Sequence, residues 1–213
     1  MAIRDMVARH SEFEETQDMV PTPPWVTRVL YEVVEPKLKE LAPSMSAWEP
    51  AAGFGHMSAT MEEFGHSSVF ASDKTLWLSW NGQGISQQDF TEFTGRSADL
   101  IATNPPYAEL DKFIQLGLER SEQFLALLVR VQGLEGQRRY TKFYRDHAPT
   151  RVALFSDRIS FKSNEVVRKA PKMFFHTWLL WDKSKMGFGR VGTELMWIAP
   201  DSQQKYEKDS DYE

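Results

Sequence analysis

The stretch ADLIATNPPY, residues 98–107, decides how the rest of this 213-residue chain is interpreted. Its first six residues form a short apolar run of the kind that fills a buried β-strand. Two prolines follow at once, and because proline has a fixed φ and no N–H group, the chain must leave the strand through a rigid turn. The next apolar pattern predicts a helix from about Leu110 to Arg120. We therefore expect a strand that ends in a stiff lip and continues into a helix.

The lip at residues 104–107 offers hydrogen-bond acceptors and one aromatic ring. Asn104 contributes an amide oxygen, and the two prolines contribute carbonyl groups without adding N–H donors. Such acceptors suit an amino group, and Tyr107 has a flat face on which a second ring can stack. The alternative is a proline turn that simply packs a tyrosine.

A glycine-rich segment lies upstream of the lip. The stretch EPAAGFG, residues 49–55, follows a short candidate strand at 45–49 and precedes a helix that runs to about Phe64. Glycines at such a junction allow a tight turn and the close approach of a ligand. Asp73 ends the next predicted strand, where a carboxylate can accept hydrogen bonds from a ribose. A common glycine turn and a helix N-cap at Asp73 are the alternatives.

Helical and strand patterns alternate along the remaining chain. A helix is predicted from Trp25 to about Leu41, kinked or ended by Pro36. Further strands are predicted before Asp89 and at 124–131, 151–155 and 173–181. This alternation predicts a single α/β sheet. We expect a loose arm at 1–17, one domain at 18–199 and a disordered acidic tail at 200–213.

The composition excludes several classes of protein. The chain has no cysteine, which removes disulfides, thiolate zinc sites and cysteine nucleophiles. The charged N-terminal segment lacks the apolar core of a signal peptide, and no apolar run reaches the roughly 20 residues of a membrane span. These features lead us to expect a soluble cytoplasmic protein without a membrane partner.

Positive charge is concentrated in one part of this acidic chain. The net charge is -5, yet residues 130–172 hold 11 Lys and Arg against 4 Asp and Glu. A basic region of this kind suits a polyanion, and a basic helix supplies four candidate phosphate ligands, Arg138, Arg139, Lys142 and Arg145. The alternative is that these side chains only solvate the helix.

These motifs occur in an order that resembles a known family. EPAAGFG, the strand end at Asp73, Asp89-Phe90 and NPPY look like the S-adenosylmethionine-dependent adenine-N6 DNA methyltransferases, in particular small bacterial and phage members. The segment VPTPPW, residues 20–25, resembles the cofactor motif that precedes the glycine loop in that family. The resemblance covers about residues 18–183, and NPPY is its specific part. It implies a Rossmann-like fold with a seven-stranded, mostly parallel sheet, one antiparallel strand and helices on both faces.

The resemblance also implies an S-adenosylmethionine site. Eight positions would form it: Thr22, Pro23, Glu49, Gly53, Gly55, Asp73, Asp89 and Phe90. In that assignment Thr22 and Pro23 lie near the methionine end of the cofactor, and Asp73 holds its ribose hydroxyls. Asp89 meets the adenine amino group, with Phe90 beside the ring.

The same resemblance makes Asn104, Pro105, Pro106 and Tyr107 the catalytic residues. Asn104 and the Pro105 carbonyl would accept hydrogen bonds from the target amino group, while Tyr107 stacks on the target base. A base stacked in duplex DNA cannot reach this lip, so it must be flipped out or already single-stranded. The chemistry requires no metal.

The sequence alone leaves other substrates open, and also a function without catalysis. RNA adenine, a glutamine side-chain amide of a protein and a silent methyltransferase-like binding module are the alternatives. VPTPPW and the basic region favour nucleic acid, and DNA is the expected partner. Only 31 residues follow Asp182, which leaves no room for a large recognition domain. Recognition is therefore expected to come from the basic loops, a partner or a homodimer.

Overall fold

The computed structural model describes residues 21–77, 84–161, 174–186 and 192–212. The strands are β1 Ser46–Glu49, β2 Ser68–Asp73, β3 Ile85–Gln87, β4 Ala98–Thr103, β5 Ser121–Arg130, β6 Arg151–Phe155, β7 His176–Asp182 and β8 Glu194–Ile198. The α-helices are α1 Pro24–Val29, α2 Lys37–Leu41, α3 His56–Glu62, α4 Leu110–Arg120, α5 Gln137–Arg139, α6 Arg145–His147 and α7 Ser202–Tyr206. The predicted arm at 1–17 lies outside the described residues.

The strands form one sheet in the order β3-β2-β1-β4-β5-β7-β6-β8. Strand β7 runs antiparallel to both of its neighbours, and every other pairing is parallel. The expected mostly parallel sheet with one antiparallel strand is therefore confirmed. The expected count of seven is wrong by one, because residues 194–198 pair in parallel with β6 as an eighth, edge strand.

Both faces of the sheet are buried. Along β5, Phe124, Ala126 and Leu128 belong to one apolar cluster, which includes residues of α1 and α3. The alternate residues Leu125, Leu127 and Val129 belong to a second cluster, which includes residues of α4. Successive side chains of a strand point to opposite faces, so a strand covered on both sides is apolar at every position. Helices therefore cover the two faces as expected.

The first helical region is interrupted where the sequence indicates. Helix α1 continues into a π-helical turn at Leu30–Val34 and stops at Glu35, whose φ is -146°. Pro36 follows, and proline disfavours a helical conformation at the residue before it. Helix α2 then begins at Lys37. Within the described ranges, none of the helices is long and apolar enough to cross a membrane.

The C-terminal segment, which we expected to be disordered, is packed against the fold. Asp211 is only 2% exposed and accepts two hydrogen bonds from Arg28 of α1, at 2.6 and 2.8 Å. Arg28 also donates to both carboxylate oxygens of Glu63, and Glu63 binds Lys208. The buried pair of Arg28 and Asp211 joins residues that are 183 positions apart, so composition alone does not reveal it. The structure corrects the expectation for residues 200–212.

Replacing Asp211 with alanine is expected to lower the free energy of unfolding by about 3 kcal/mol, because it leaves the buried Arg28 short of one partner. Urea denaturation measures this loss. Asp209→Ala is the matched control, since Asp209 is exposed in the same turn. A loss no larger than that of the control would mean that Asp211 does not anchor the segment.

Connectivity places a crevice at one edge of the sheet. The chain passes from β1 to β2 on one side, and later returns to β4 on the other side of β1. Ligands bind beyond the carboxyl ends of the strands at such a switch point in open α/β sheets. The glycine-rich segment and the NPPY lip both begin at this edge.

Candidate active site

A cavity of about 500 Å³ lies at the carboxyl ends of β1, β2 and β4. It brings together ten of the twelve residues predicted for cofactor and catalysis: Thr22, Glu49, Gly53, Asp73, Asp89, Phe90, Asn104, Pro105, Pro106 and Tyr107. These residues are separated by up to 85 positions in the sequence. Their convergence follows from the parallel strand order, which puts all three strand ends at one edge.

Pro23 and Gly55 do not line the cavity. Each of them precedes a helix, and its carbonyl accepts a hydrogen bond from the first turn of that helix. The Pro23 carbonyl accepts a hydrogen bond from Val26 N at 3.0 Å. Pro23 is thus the N-cap of α1 and joins this helix to Thr22. Gly55 has a φ of 87° and begins α3, where its carbonyl accepts from Ala59 N. A positive φ favours glycine because it has no Cβ. Both residues shape the cavity without lining it.

The glycine-rich turn is tied to the end of β2. Gly53 has a φ of 53° and donates its N–H to Asp73 Oδ2 at 2.9 Å. Ala52 N donates to the Ser72 carbonyl at 3.0 Å. The turn therefore keeps its shape through contacts made inside the protein, and the Asp73 carboxylate is fixed beside it.

Asp73 has further donors on its other oxygen. Thr75 N and Trp77 Nε1 donate to Oδ1 at 2.9 and 3.0 Å, and both residues line the cavity. Asp73 is thus an oriented carboxylate. The bond from Thr75 N is the kind that an N-cap makes, but residues 74–77 form no helix. Trp77 was missed at the sequence level because residues 74–84 show no clear period.

Glu49 is a buried acid in the same cavity. Its side chain is nearly inaccessible, and Oε2 accepts from Ser58 N of α3 at 2.6 Å. Burial raises the pKa of Glu49 well above its ordinary value and the charge of Asp73 adds to this, while the hydrogen bonds from Ser58 oppose it. Two acidic side chains in one enclosed space favour a ligand that carries positive charge.

Asp89 and Phe90 form another wall of the cavity. Asp89 Oδ1 accepts from the N–H and the hydroxyl of Thr91 at 2.7 and 2.8 Å. No donor from the described part of the chain reaches Oδ2. Phe90 is buried, with its ring edge-on to Trp48 and 4.8 Å from that of Phe113. The wall combines an acceptor with apolar surface, which suits a heteroaromatic ring bearing an amino group.

The NPPY lip presents acceptors as the sequence predicts. Asn104 Nδ2 donates to Thr22 Oγ1 at 3.1 Å, which directs the amide oxygen away from Thr22. The Pro106 carbonyl is used by Glu109 N. By contrast, no N–H or O–H group of the residues described binds the Pro105 carbonyl. Asn104 Oδ1 and the Pro105 carbonyl are therefore the two acceptors that the lip can offer.

Tyr107 is held by two paired residues on this edge of the sheet, the last residue of β5 and the first residue of β7. Its hydroxyl lies 3.0 Å from His176 Nε2, and the Arg130 guanidinium lies 3.7 Å from its ring centroid. Burial lowers the pKa of His176 to about 4, and the positive charge of Arg130 acts in the same direction. His176 is thus neutral at pH 7 and can share a hydrogen bond with Tyr107 in either tautomer.

Two of the four predicted phosphate ligands line the groove beside Tyr107, and the other two do not. Arg138 and Arg139 line a groove of about 330 Å³ that Tyr107 also lines. Arg139 donates to Asp111 and to the Gly133 and Glu135 carbonyls, so most of its donors bind the protein itself. The Arg138 side chain is 74% exposed, and its Nε lies 3.3 Å from Asp111 Oδ2. Lys142 lines a different cavity, and Arg145 pairs with Asp146.

Several solved structures share this architecture, although no family model and no curated protein matches the chain. One is described as a modification subunit of a type I restriction enzyme from Vibrio vulnificus YJ016, with 15% identity, a TM-score of 0.60, and 95% of this chain and 55% of that chain covered. The type IIG restriction endonuclease BpuSI has 15% identity and a TM-score of 0.62 over 91% of this chain and 28% of that chain. A SAM-dependent O-methyltransferase from Thermotoga maritima has 12% identity and a TM-score of 0.50, with 80% and 70% covered.

The chain has a Rossmann-like methyltransferase fold. It spans about half the length of the Vibrio protein and less than a third of BpuSI. In the ranges that the structure describes, no three His, Cys, Asp or Glu side chains are grouped so as to hold a metal ion.

Proposed function

We propose that this protein transfers a methyl group from S-adenosylmethionine to the N6 amino group of adenine in DNA. The observation that carries the proposal is the position of Asn104 and the Pro105 carbonyl at the edge of the cavity that also contains the glycine turn and Asp73. Two acceptors for an amine thus lie beside a site for a charged nucleoside-like ligand.

The residues present fit S-adenosylmethionine. A cavity of about 500 Å³ falls in the usual range for a ligand of this size. Asp73 is oriented for ribose hydroxyls, and the Asp89–Phe90 wall suits the adenine ring. Glu49 lies in the same enclosed space, where acidic side chains favour a ligand bearing ammonium and sulfonium groups. When bound, S-adenosylmethionine supplies an electrophilic methyl group on its sulfonium.

The acceptors of the lip can compensate for the low reactivity of the target amine. An adenine amine is unreactive because its lone pair is delocalised into the ring. Asn104 Oδ1 and the Pro105 carbonyl can each accept one N–H of that amine, which favours a geometry with the lone pair directed into the cavity. The catalytic contribution of these residues is positioning and local electrostatics.

Several observations support a nucleic-acid substrate. Tyr107 borders both the main cavity and the groove that contains the exposed Arg138, so a base at the lip lies next to a cationic side chain. Cations at such a place attract phosphates without reading sequence. Two structures of the same fold belong to proteins named for restriction or its modification subunit, which favours DNA among the nucleic acids.

Transfer of labelled methyl from S-adenosylmethionine to separate pools of single-stranded DNA, duplex DNA, RNA and protein tests the proposal. We expect label in DNA, recovered as N6-methyladenine after digestion to nucleosides. Reactions without enzyme set the background. Label confined to RNA or to protein would overturn the substrate, and binding of S-adenosylmethionine without transfer to any pool would favour a silent module.

A further inference from the structure

Arg130 is a charged residue beside the lip for which the described residues supply no acceptor. It ends β5, and its Cα is paired with that of His176 at the start of β7. Its guanidinium lies 3.7 Å from the ring centroid of Tyr107 and 3.9 Å from that of Phe174. Nε is buried and has no hydrogen-bond partner in the described part of the chain. Among the residues described, no carboxylate pairs with Arg130.

The two rings determine what Arg130 can still bind. An aromatic ring contacts a guanidinium through its flat face, which leaves the N–H groups along the edge of the plane for hydrogen bonding. A half-buried cation with unused donors is unfavourable without an anion. The planar fork of arginine matches two oxygens of a phosphate group. Arg130 is therefore a preformed site for a phosphodiester.

The position of the site selects which phosphate it can reach. Tyr107 belongs to the catalytic lip, and its ring is in direct contact with Arg130. A nucleotide whose base reaches the lip must keep its own flanking phosphates outside the cavity, next to that ring. A second cation–ring pair includes the residue after Phe174, with Arg158 4.9 Å from the exposed ring of Phe175.

We propose that Arg130 binds a phosphate directly adjacent to the target adenosine, held in place for this purpose by Tyr107 and Phe174. The inference rests on the proposed function, because it assumes that a nucleotide occupies the lip. It adds a contact that couples base entry to recognition of the strand backbone. Such a contact anchors the flipped nucleotide without reading its neighbours, as phosphate contacts do.

The Arg130→Gln variant tests the site. Its binding to a labelled DNA oligonucleotide that contains the target adenine is measured by fluorescence anisotropy. We expect binding to weaken roughly 10- to 100-fold, and the slope of log affinity against log salt to fall by about 0.7–0.9. Arg130→Lys should keep most of the slope but lose affinity, because lysine retains the charge without the fork. Arg96→Gln is the matched control, since Arg96 also contacts a ring, that of Phe70, but precedes β4 at the opposite edge of the sheet.

A second measurement starts from the wild-type protein, so its main result does not depend on the folding of a variant. Oligonucleotides with a single neutral methylphosphonate are compared, one linkage at a time, on both sides of the target adenosine. We expect one adjacent linkage to weaken wild-type binding and to have no effect on Arg130→Gln. Equal binding with every adjacent linkage, or an unchanged salt slope in a folded Arg130→Gln that still binds S-adenosylmethionine, would overturn the inference while DNA methylation by the wild type stands. A wild type that neither binds nor methylates DNA would overturn both proposals.

Discussion

Replacing Asn104 with alanine is expected to lower kcat for methyl transfer by about 10²–10³-fold, the loss typical of removing one preorganised hydrogen-bonding group from a catalytic site. The alanine removes the amide oxygen proposed to orient the target amine, while Asp73 and Glu49, the acids proposed to contact the cofactor, stay in place. Rates with saturating substrate measure the effect, and calorimetry with S-adenosylmethionine shows whether cofactor affinity is retained.

Thr22→Val separates the chemical role of Asn104 from its orientation. Thr22 Oγ1 accepts the hydrogen bond from Asn104 Nδ2, so valine frees the amide to rotate but keeps its oxygen. We expect a smaller loss of kcat than for Asn104→Ala. Equal activity of Asn104→Ala and the wild type on DNA would show that the lip does not act on the target amine.

The parts of the fold that were predictable depend on local sequence. Strand β4 and helix α4 occupy the predicted ranges 98–103 and 110–120, because an apolar run and a helical period act over a few neighbouring residues. The break before Pro36 is local for the same reason. Strand β8 was missed, because its side chains are mostly exposed and only pairing with β6 makes it a strand.

The candidate site likewise contains residues that the sequence predicts and residues that only the tertiary structure reveals. The motif residues reach one cavity because each follows a strand or begins a helix, and the α/β pattern implies that those ends meet. Arg130 and His176 carry no motif, and their relation to Tyr107 depends on the antiparallel register of β5 and β7. Arg139 looked like a free cation, yet Asp111 of α4 and two loop carbonyls take up its donors. Such contacts are tertiary and leave no signal in a basic stretch.

Asp73→Ala is expected to weaken S-adenosylmethionine binding by about 10- to 100-fold, because a ribose hydroxyl loses a charged acceptor and such a bond contributes about 1.5–3 kcal/mol. The carboxylate has a second role, since Gly53 N, Thr75 N and Trp77 Nε1 all donate to it. Part of the loss therefore comes from the glycine turn, which keeps the bond from Ala52 N to the Ser72 carbonyl but loses the one from Gly53 N to Asp73. Calorimetry gives the affinity, and urea denaturation reports the stability of the same preparation.

Trp77→Phe distinguishes these two roles of Asp73. Phenylalanine keeps a ring in the cavity wall but removes the Nε1–H donor, so the carboxylate stays available to a ribose while losing one internal restraint. We expect cofactor affinity to fall far less than in Asp73→Ala. A folded Asp73→Ala that binds S-adenosylmethionine like the wild type would remove the ribose contact from the proposal. A loss that Trp77→Phe fully reproduces would mean that the hydrogen bond from Trp77, and not a ribose contact, accounts for the effect of Asp73→Ala, since this bond is lost in both variants.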